Sequence, residues 1–145
     1  MDKNAFSKDG YMINQPLLTD IKYGRLPSSV NGCGWMAAYN LFRVFGINKS
    51  PQAVHDELEK GLKYNGYMGT GPNSLFRYIK TLVQGAEISY SRRAIKRHVS
   101  GAKAGIVLYL EWTGAHYVTF SRVDDDGRFR FFNADVGNEM HVDTF

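Results

Sequence analysis

The spacing of apolar residues changes along the chain, and it predicts helices first and strands afterwards. In residues 33–45, Trp35, Ala38 and Phe42 recur at helical spacing on one face, and Gly46 follows as a natural C-terminal stop. This predicted helix is apolar over most of its surface, so we expect it to be central and buried. Three further helices with apolar stripes are predicted at residues 50–60, 73–83 and 91–99.

Two of these helices have recognisable first turns. Ser50 and Ser91 can each cap a helix N-terminus, and Pro51 suits the first helical position. In the helix that Pro51 opens, His55 is expected on the solvent side. The glycine-rich segment 64–72 is expected to be a loop that forms a wall of a substrate cleft, because glycine and tyrosine suit backbone approach and ring contact.

In the C-terminal part of the chain the pattern becomes that of strands. Residues 105–112 are nearly continuously apolar, which predicts a strand buried on both faces, and residues 115–123 alternate between the two faces of a second strand. Asp126 and Gly127 form a hairpin signal, and residues 128–132 return as the next strand. Helices followed by an antiparallel sheet, without a strand-helix-strand repeat, predict an α+β fold.

All 145 residues are expected to form one domain. We expect residues 31–137 to be its core and residues 1–30 to be a loop-rich N-terminal segment with a short strand at 11–13. Another short strand is predicted at 86–90, and His141 is expected in a loose tail. The single cysteine excludes an internal disulfide.

Composition and charge narrow the classes of function. The N-terminus is polar, and no apolar run is long enough for a signal peptide or a membrane span. The sequence therefore predicts a cytoplasmic protein, with secretion and membership of a larger protein left open. Much of the net charge of +4 comes from residues 92–98. Aromatic residues do not interleave with these cations, so a solvated helix face is favoured and no nucleic acid partner is expected, although acidic ligands would suit the face.

The only cysteine is the most specific chemical signal in the chain. Cys33 lies between Gly32 and Gly34 at the predicted start of the central helix. A thiol is a good nucleophile only as a thiolate, and a helix N-terminus lowers the thiol pKa. The flanking glycines are expected to leave the backbone open to a substrate. The alternative interpretation is a small buried thiol that only packs in the core.

A nucleophilic thiol needs a base and a group that orients the base. His116 begins a strand after a glycine turn, and the hairpin brings Asn133 back toward its level, where Asn133 could accept a hydrogen bond from the far ring nitrogen. Asp135 could do the same with a full charge. The alternatives are a core histidine for His116 and turn or capping roles for Asn133 and Asp135. No cluster with metal-ligand spacing is visible, so no metal or cofactor is implied.

The order of these motifs resembles that of papain-like cysteine peptidases, in particular the compact bacterial group that includes the bacteriocin-leader (double-glycine) peptidases. The resemblance runs from residue 31 to 137 and rests on Asn-Gly-Cys-Gly at 31–34, Gly-Ala-His-Tyr-Val at 114–118 and Phe-Asn-Ala at 132–134. It implies a papain-like fold whose N-terminal helices pack on a C-terminal antiparallel sheet. It also implies a peptide or protein substrate and a triad of Cys33, His116 and Asn133, with Asp135 as the other possible third member.

Two positions depart from this family. Its usual Asp-Pro at the end of the strand is Asn133-Ala134 here, and its oxyanion-hole glutamine is missing from residues 26–30. Gln15 could serve only if residues 16–30 loop out, and Asn31 or backbone amides near the cysteine are the other candidates. Losing one oxyanion donor costs about 100- to 1000-fold in rate.

The sequence therefore predicts a cysteine peptidase acting on a peptide or isopeptide bond. The same site would suit an amidase, a deamidase or an acyltransferase. The alternative from another class is a papain-like peptide-binding module that has kept the fold without hydrolysis, which the missing upstream glutamine favours.

Overall fold

The computed structural model describes residues 1–111, 114–134 and 141–145, and they form an α+β arrangement, as the sequence predicts. Its α-helices are α1 (Ser28–Asn31), α2 (Cys33–Val44), α3 (Pro51–Glu59), α4 (Pro72–Lys80) and α5 (Arg92–Gly101). Its strands are β1 (Lys22–Tyr23), β2 (Leu26–Pro27), β3 (Ala104–Glu111), β4 (Gly114–Arg122), β5 (Arg128–Phe132) and β6 (His141–Thr144). Strands β1 and β2 form a small hairpin, and β3-β4-β5-β6 form an antiparallel sheet in chain order. None of the described helices is long and apolar enough to cross a membrane.

Helix α2 is the centre of the core, as its apolar surface predicts. Trp35 and Phe42 are fully buried, and burying such a side chain stabilises the fold by about 1.5–3 kcal/mol. On the other side of the core, Thr119 of β4 donates its hydroxyl hydrogen to the carbonyl oxygen of Ala37, 2.7 Å away. This bond fixes which face of β4 packs on α2.

Among the described residues, the pairing of β4 with β5 stops before the N-terminal end of β4 is reached. Pairing between β4 and β5 runs from Arg122 opposite Phe129 to Thr119 opposite Phe132, so the earlier residues of β4 extend beyond the end of β5. Val123 donates its N–H to the carbonyl oxygen of Arg128, and hydrogen-bonded pairs alternate along an antiparallel ladder. The main-chain N–H of the residue after His116 therefore points toward the β5 side of β4, beyond the last residue of β5.

The helix signals were accurate, since the Ser50 and Ser91 hydroxyls cap α3 and α5 by accepting from Ala53 and Ala94 main-chain N–H groups. The predicted strands at 11–13 and 86–90 are wrong. The first is a single bridge between Phe6 and Met12, and the second has no regular structure. The expected loop at residues 27–29 contains the start of α1.

Three further expectations are corrected by the packing. β3 is not buried on both faces, because Leu110 is 84% exposed near the end of the strand. The tail that contains His141 is ordered as β6, paired with β5. His55 is buried rather than solvent-facing: its ring lies 5.4 Å from the rings of both Trp35 and Tyr23.

Candidate active site

Cys33 is the first residue of α2 and lies directly after the single turn α1. Gly32 joins the two helices and is the N-cap residue of α2, so the N-cap position has no side chain that could cap the helix. The first N–H groups of a helix have no intrahelical carbonyl partner, so the amides beside the thiol are available to other acceptors. The thiol is half-buried and packs against the main hydrophobic core.

Burial decides the ionisation of this thiol. It raises the pKa of Cys33, and the nearby main-chain N–H groups of Tyr117, Gly34 and Cys33 itself lower the pKa by less. The lower pKa expected from the helix N-terminus is therefore wrong in its net direction, although the helix amides act as expected. In the resting protein the thiol is protonated at neutral pH. Its contact with the Tyr117 amide places the sulfur within one peptide unit of His116.

The glycines on both sides of Cys33 serve close packing. A Cβ atom on Gly34 would lie 2.6 Å from the Thr70 hydroxyl oxygen, and one on Gly32 would lie 2.6 Å from the Ser28 carbonyl oxygen. Real Cβ atoms do not approach other atoms so closely. The expectation that these glycines leave the backbone open to a substrate is therefore wrong on the side where a Cβ would project, because protein atoms already fill that space.

The His116 ring is held by a main-chain group. Its Nε2 atom lies 2.7 Å from the carbonyl oxygen of Asn133. A carbonyl oxygen only accepts hydrogen bonds, so Nε2 carries the hydrogen, and in the neutral ring Nδ1 is left as the basic nitrogen. The Tyr109 ring packs edge-on against the imidazole at 5.6 Å. Asn133 thus orients His116 through its main chain, and not through its side chain as expected.

The side chain of Asn133 binds Gln15 instead. Its Oδ1 accepts the main-chain N–H of Gln15 at 3.2 Å, and its Nδ2 donates to Gln15 Oε1 at 3.1 Å. Gln15 in turn donates from Nε2 to the carbonyl oxygens of Ser28 and Ser29, at 3.0 and 3.3 Å. Residues 16–30 do loop out, as a role for Gln15 at the site requires. The result is a buried connection from α1, directly before the cysteine, to the residue that holds His116.

The other oxyanion candidate, Asn31, holds the glycine-rich loop. Its Nδ2 donates to the carbonyl oxygens of Tyr23, at 3.2 Å, and of Gly66. Both amide hydrogens of Asn31 are therefore engaged, and the same is true of Gln15. Asp135, the possible third member of a triad, lies outside the described residues.

Sequence reasoning missed the wall opposite the cysteine. Thr70 forms hydrogen bonds with two tyrosines: the Tyr117 hydroxyl donates to its carbonyl oxygen at 2.9 Å, and the Tyr23 hydroxyl lies 2.7 Å from its Oγ1. Burial raises the pKa of Tyr23 to about 12 and raises that of Tyr117 still further, so both phenols are neutral. The sequence feature that could have indicated Thr70 is the glycine-rich loop at residues 64–72, which is expected to line a cleft. Nothing in the pattern distinguishes Thr70 from its neighbours in that loop.

The cluster of possible metal ligands found among the described residues does not include the thiol. Atoms of His55, Asp56 and Glu59 lie within 4.8 Å of one another. The His55 ring nitrogens contact Asp56 Oδ1 and the Lys22 carbonyl oxygen, both at 2.8 Å, and Glu59 accepts the Gly24 N–H at 2.8 Å. These groups already bond to protein atoms, so the cluster works as a structural junction.

Comparisons with known proteins add no assignment: no protein-family model, no curated protein and no solved structure matches this chain.

Proposed function

We propose that the chain is a papain-like thiol hydrolase that cleaves a peptide or isopeptide bond. The observation that carries the proposal is the proximity of Cys33, the first residue of the buried helix α2, to the end of β4 that bears His116, beyond the described pairing of β4 with β5. The fixed tautomer of His116 adds to it, because Nδ1 is left as a base. An α2 helix packed on an antiparallel sheet is also the arrangement that a papain-like fold requires.

In the proposed reaction, the Cys33 sulfur attacks the carbonyl carbon while its proton passes to Nδ1 of His116. The thiol proton must leave during the attack because burial keeps the resting thiol neutral. The imidazolium then protonates the leaving amine, the C–N bond breaks, and a thioester remains. Water, deprotonated by His116, hydrolyses the thioester and restores the thiol.

Backbone amides at the start of α2 are the proposed oxyanion donors. The side-chain amides of Gln15 and Asn31 already donate to carbonyl oxygens, whereas the N-cap residue of α2 is a glycine and has no side chain that could occupy the first amides. Main-chain N–H groups at a helix start act as a fixed positive pole for developing negative charge. An amidase, deamidase or acyltransferase would use the same groups with a different acyl donor or acceptor.

The second candidate is a papain-like peptide-binding module without hydrolysis. Two observations favour it: the thiol is protonated by burial, and both amide side chains expected in an oxyanion hole are engaged elsewhere. The two candidates differ in whether His116 accelerates chemistry at Cys33.

The test is alkylation by iodoacetamide in wild type, His116→Ala and the control His98→Ala, whose ring pairs with Glu87 away from the thiol. A hydrolase predicts that only His116→Ala slows labelling at neutral pH, since only there does the thiol lose its base. In parallel, mass spectrometry of a mixed peptide pool should detect cleavage by wild type and none by Cys33→Ala. Equal labelling of all three proteins, with no cleavage, would contradict the hydrolase and leave the binding module.

A further inference from the structure

The outer face of α5 carries four cations without an acidic partner among the described residues. All four are exposed, and neither a salt bridge nor a side-chain hydrogen bond is formed by any of them in that part of the chain. They form two rows with i,i+4 spacing, and we call them the basic face: Arg92, Arg93, Lys96 and Arg97. The nearest acidic residue along the chain is Glu87, which pairs with His98 at 2.7 Å.

This arrangement is electrostatically unfavourable for the isolated domain. Arg92 and Arg93 occupy the first turn of α5, where the helix dipole favours acidic residues, and no acidic residue is present there. The like charges within each i,i+4 row also repel one another. A surface that is unfavourable by itself and unpaired within the fold indicates a partner with the opposite charge.

The basic face begins next to the candidate active site. Tyr90, which precedes the Ser91 cap, is 70% exposed, and its hydroxyl donates to Asn73 Oδ1 at 2.7 Å, at the start of α4. The residue whose carbonyl oxygen accepts the Tyr117 hydroxyl, at 2.9 Å, lies three positions before Asn73. Tyr117 contacts the Cys33 thiol through its main-chain N–H. Tyr90 therefore connects the start of α5 with the residues around the thiol.

We infer that the basic face binds an acidic segment of an extended peptide, with carboxylates at alternate positions. Residues four apart on a helix are about 6 Å apart along its axis. Alternate residues of an extended chain lie about 6.6–6.8 Å apart and point to the same side. The two spacings match, so successive carboxylates can each meet a cation of one row. Residues 92–98 also contain no Phe, Tyr or Trp on which a nucleic acid base could stack. That this segment belongs to a substrate rests on the proposed function, whereas the binding itself does not.

The test measures binding with Cys33→Ala protein, so that catalysis plays no part. Two fluorescein-labelled peptides of glycine and serine are compared by anisotropy, one with glutamate and the other with lysine at alternate positions. The variant Arg92→Glu/Lys96→Glu reverses one row. Its matched control, Arg77→Glu/Lys80→Glu, reverses one arginine and one lysine on the exposed side of α4 and so has the same net charge. Because Arg92→Glu puts an acidic residue in the first turn of α5, we expect the variant to fold at least as well as wild type.

We expect the glutamate peptide to bind and the lysine peptide not to bind. Reversal of the α5 row should weaken binding by about tenfold, as expected when two exposed ion pairs become repulsive, and reversal on α4 should change it by less than about twofold. Raising the salt from about 50 to about 500 mM should weaken the binding of wild type. Equal losses in the two variants, or equal binding of the two peptides, would overturn the inference. The inference would also be overturned if a random DNA duplex bound more tightly than the glutamate peptide and only the α5 variant lost this binding. The basic face would then be a nucleic acid site.

Discussion

Replacing Asn133 should cost stability much more than it disturbs His116. Its side chain makes two buried hydrogen bonds with Gln15, at 3.2 and 3.1 Å, and its φ of 60° lies in the left-handed region. Truncation leaves a buried N–H and a buried carbonyl oxygen of Gln15 unpaired, at about 1–3 kcal/mol each. We therefore expect Asn133→Gly to lose about 2–6 kcal/mol of unfolding free energy. Asn133→Ala should lose about 1–2 kcal/mol more, because alanine is disfavoured in the left-handed region.

Urea denaturation followed by tryptophan fluorescence measures these losses, because Trp35 is buried in the core. Asn65 is the matched control: it is also left-handed, with a φ of 54°, but its side chain is exposed. Asn65→Gly should be neutral or slightly stabilising. Asn65→Ala should cost only the left-handed penalty of about 1–2 kcal/mol.

The activity of folded Asn133→Gly distinguishes the two ways in which Asn133 could orient the base. The observed contact is from His116 to the main-chain oxygen, which glycine retains. Folded Asn133→Gly should therefore keep the dependence of Cys33 alkylation on His116. Native stability together with loss of that dependence would refute the reasoning and return the orienting role to the side chain.

Three further outcomes follow from the packing around the thiol. In His116→Ala, where no base assists, alkylation of folded Cys33 should have a higher pH midpoint than in urea, because burial raises the pKa of the thiol. The fold therefore favours the protonated thiol, and the free energy of unfolding should fall as the pH rises above the unfolded pKa of about 8.5. A lower alkylation midpoint in the folded protein than in urea would contradict this expectation. Gly34→Ala should lose about 1–3 kcal/mol in urea denaturation, and Thr70→Gly in the same chain should restore part of it, since Thr70 fills the space that the new methyl needs. Tyr117→Phe should lose about 1–2 kcal/mol by leaving the Thr70 carbonyl oxygen unpaired, whereas the same change at an exposed tyrosine should have no measurable effect in that assay.

The sequence predicted correctly those helices and turns whose formation depends on interactions between residues close together in the chain. Ser50 and Ser91 cap their helices because a hydroxyl three residues before an amide can reach it, and the apolar face of α2 repeats with the helix period. The hairpin at Gly127 follows from the positive φ that glycine permits. Such interactions span a few residues and are therefore readable in one sequence.

The same reasoning failed where the outcome depended on packing between distant segments. His55 is buried because the rings of Tyr23 and Trp35 enclose it, and nothing in the sequence of α3 indicates that contact. The expected strand at residues 86–90 does not form, and the tail at 141–144 pairs with β5 instead. The composition of a short segment does not determine which sheet edge it will meet.

For the candidate site, the sequence by itself selected Cys33, His116 and Asn133 and placed the cysteine at the start of a buried helix. Only the tertiary structure decided what these groups contact. Asn133 can offer either a main-chain oxygen or a side-chain amide, and residue 15, which is 118 positions away, takes the amide and leaves the oxygen for the histidine. Two effects of the fold oppose each other at the Cys33 thiol: burial raises its pKa, and hydrogen bonds from main-chain amides lower it. Burial prevails here because desolvating the thiolate outweighs the hydrogen bonds of the helix start and of Tyr117.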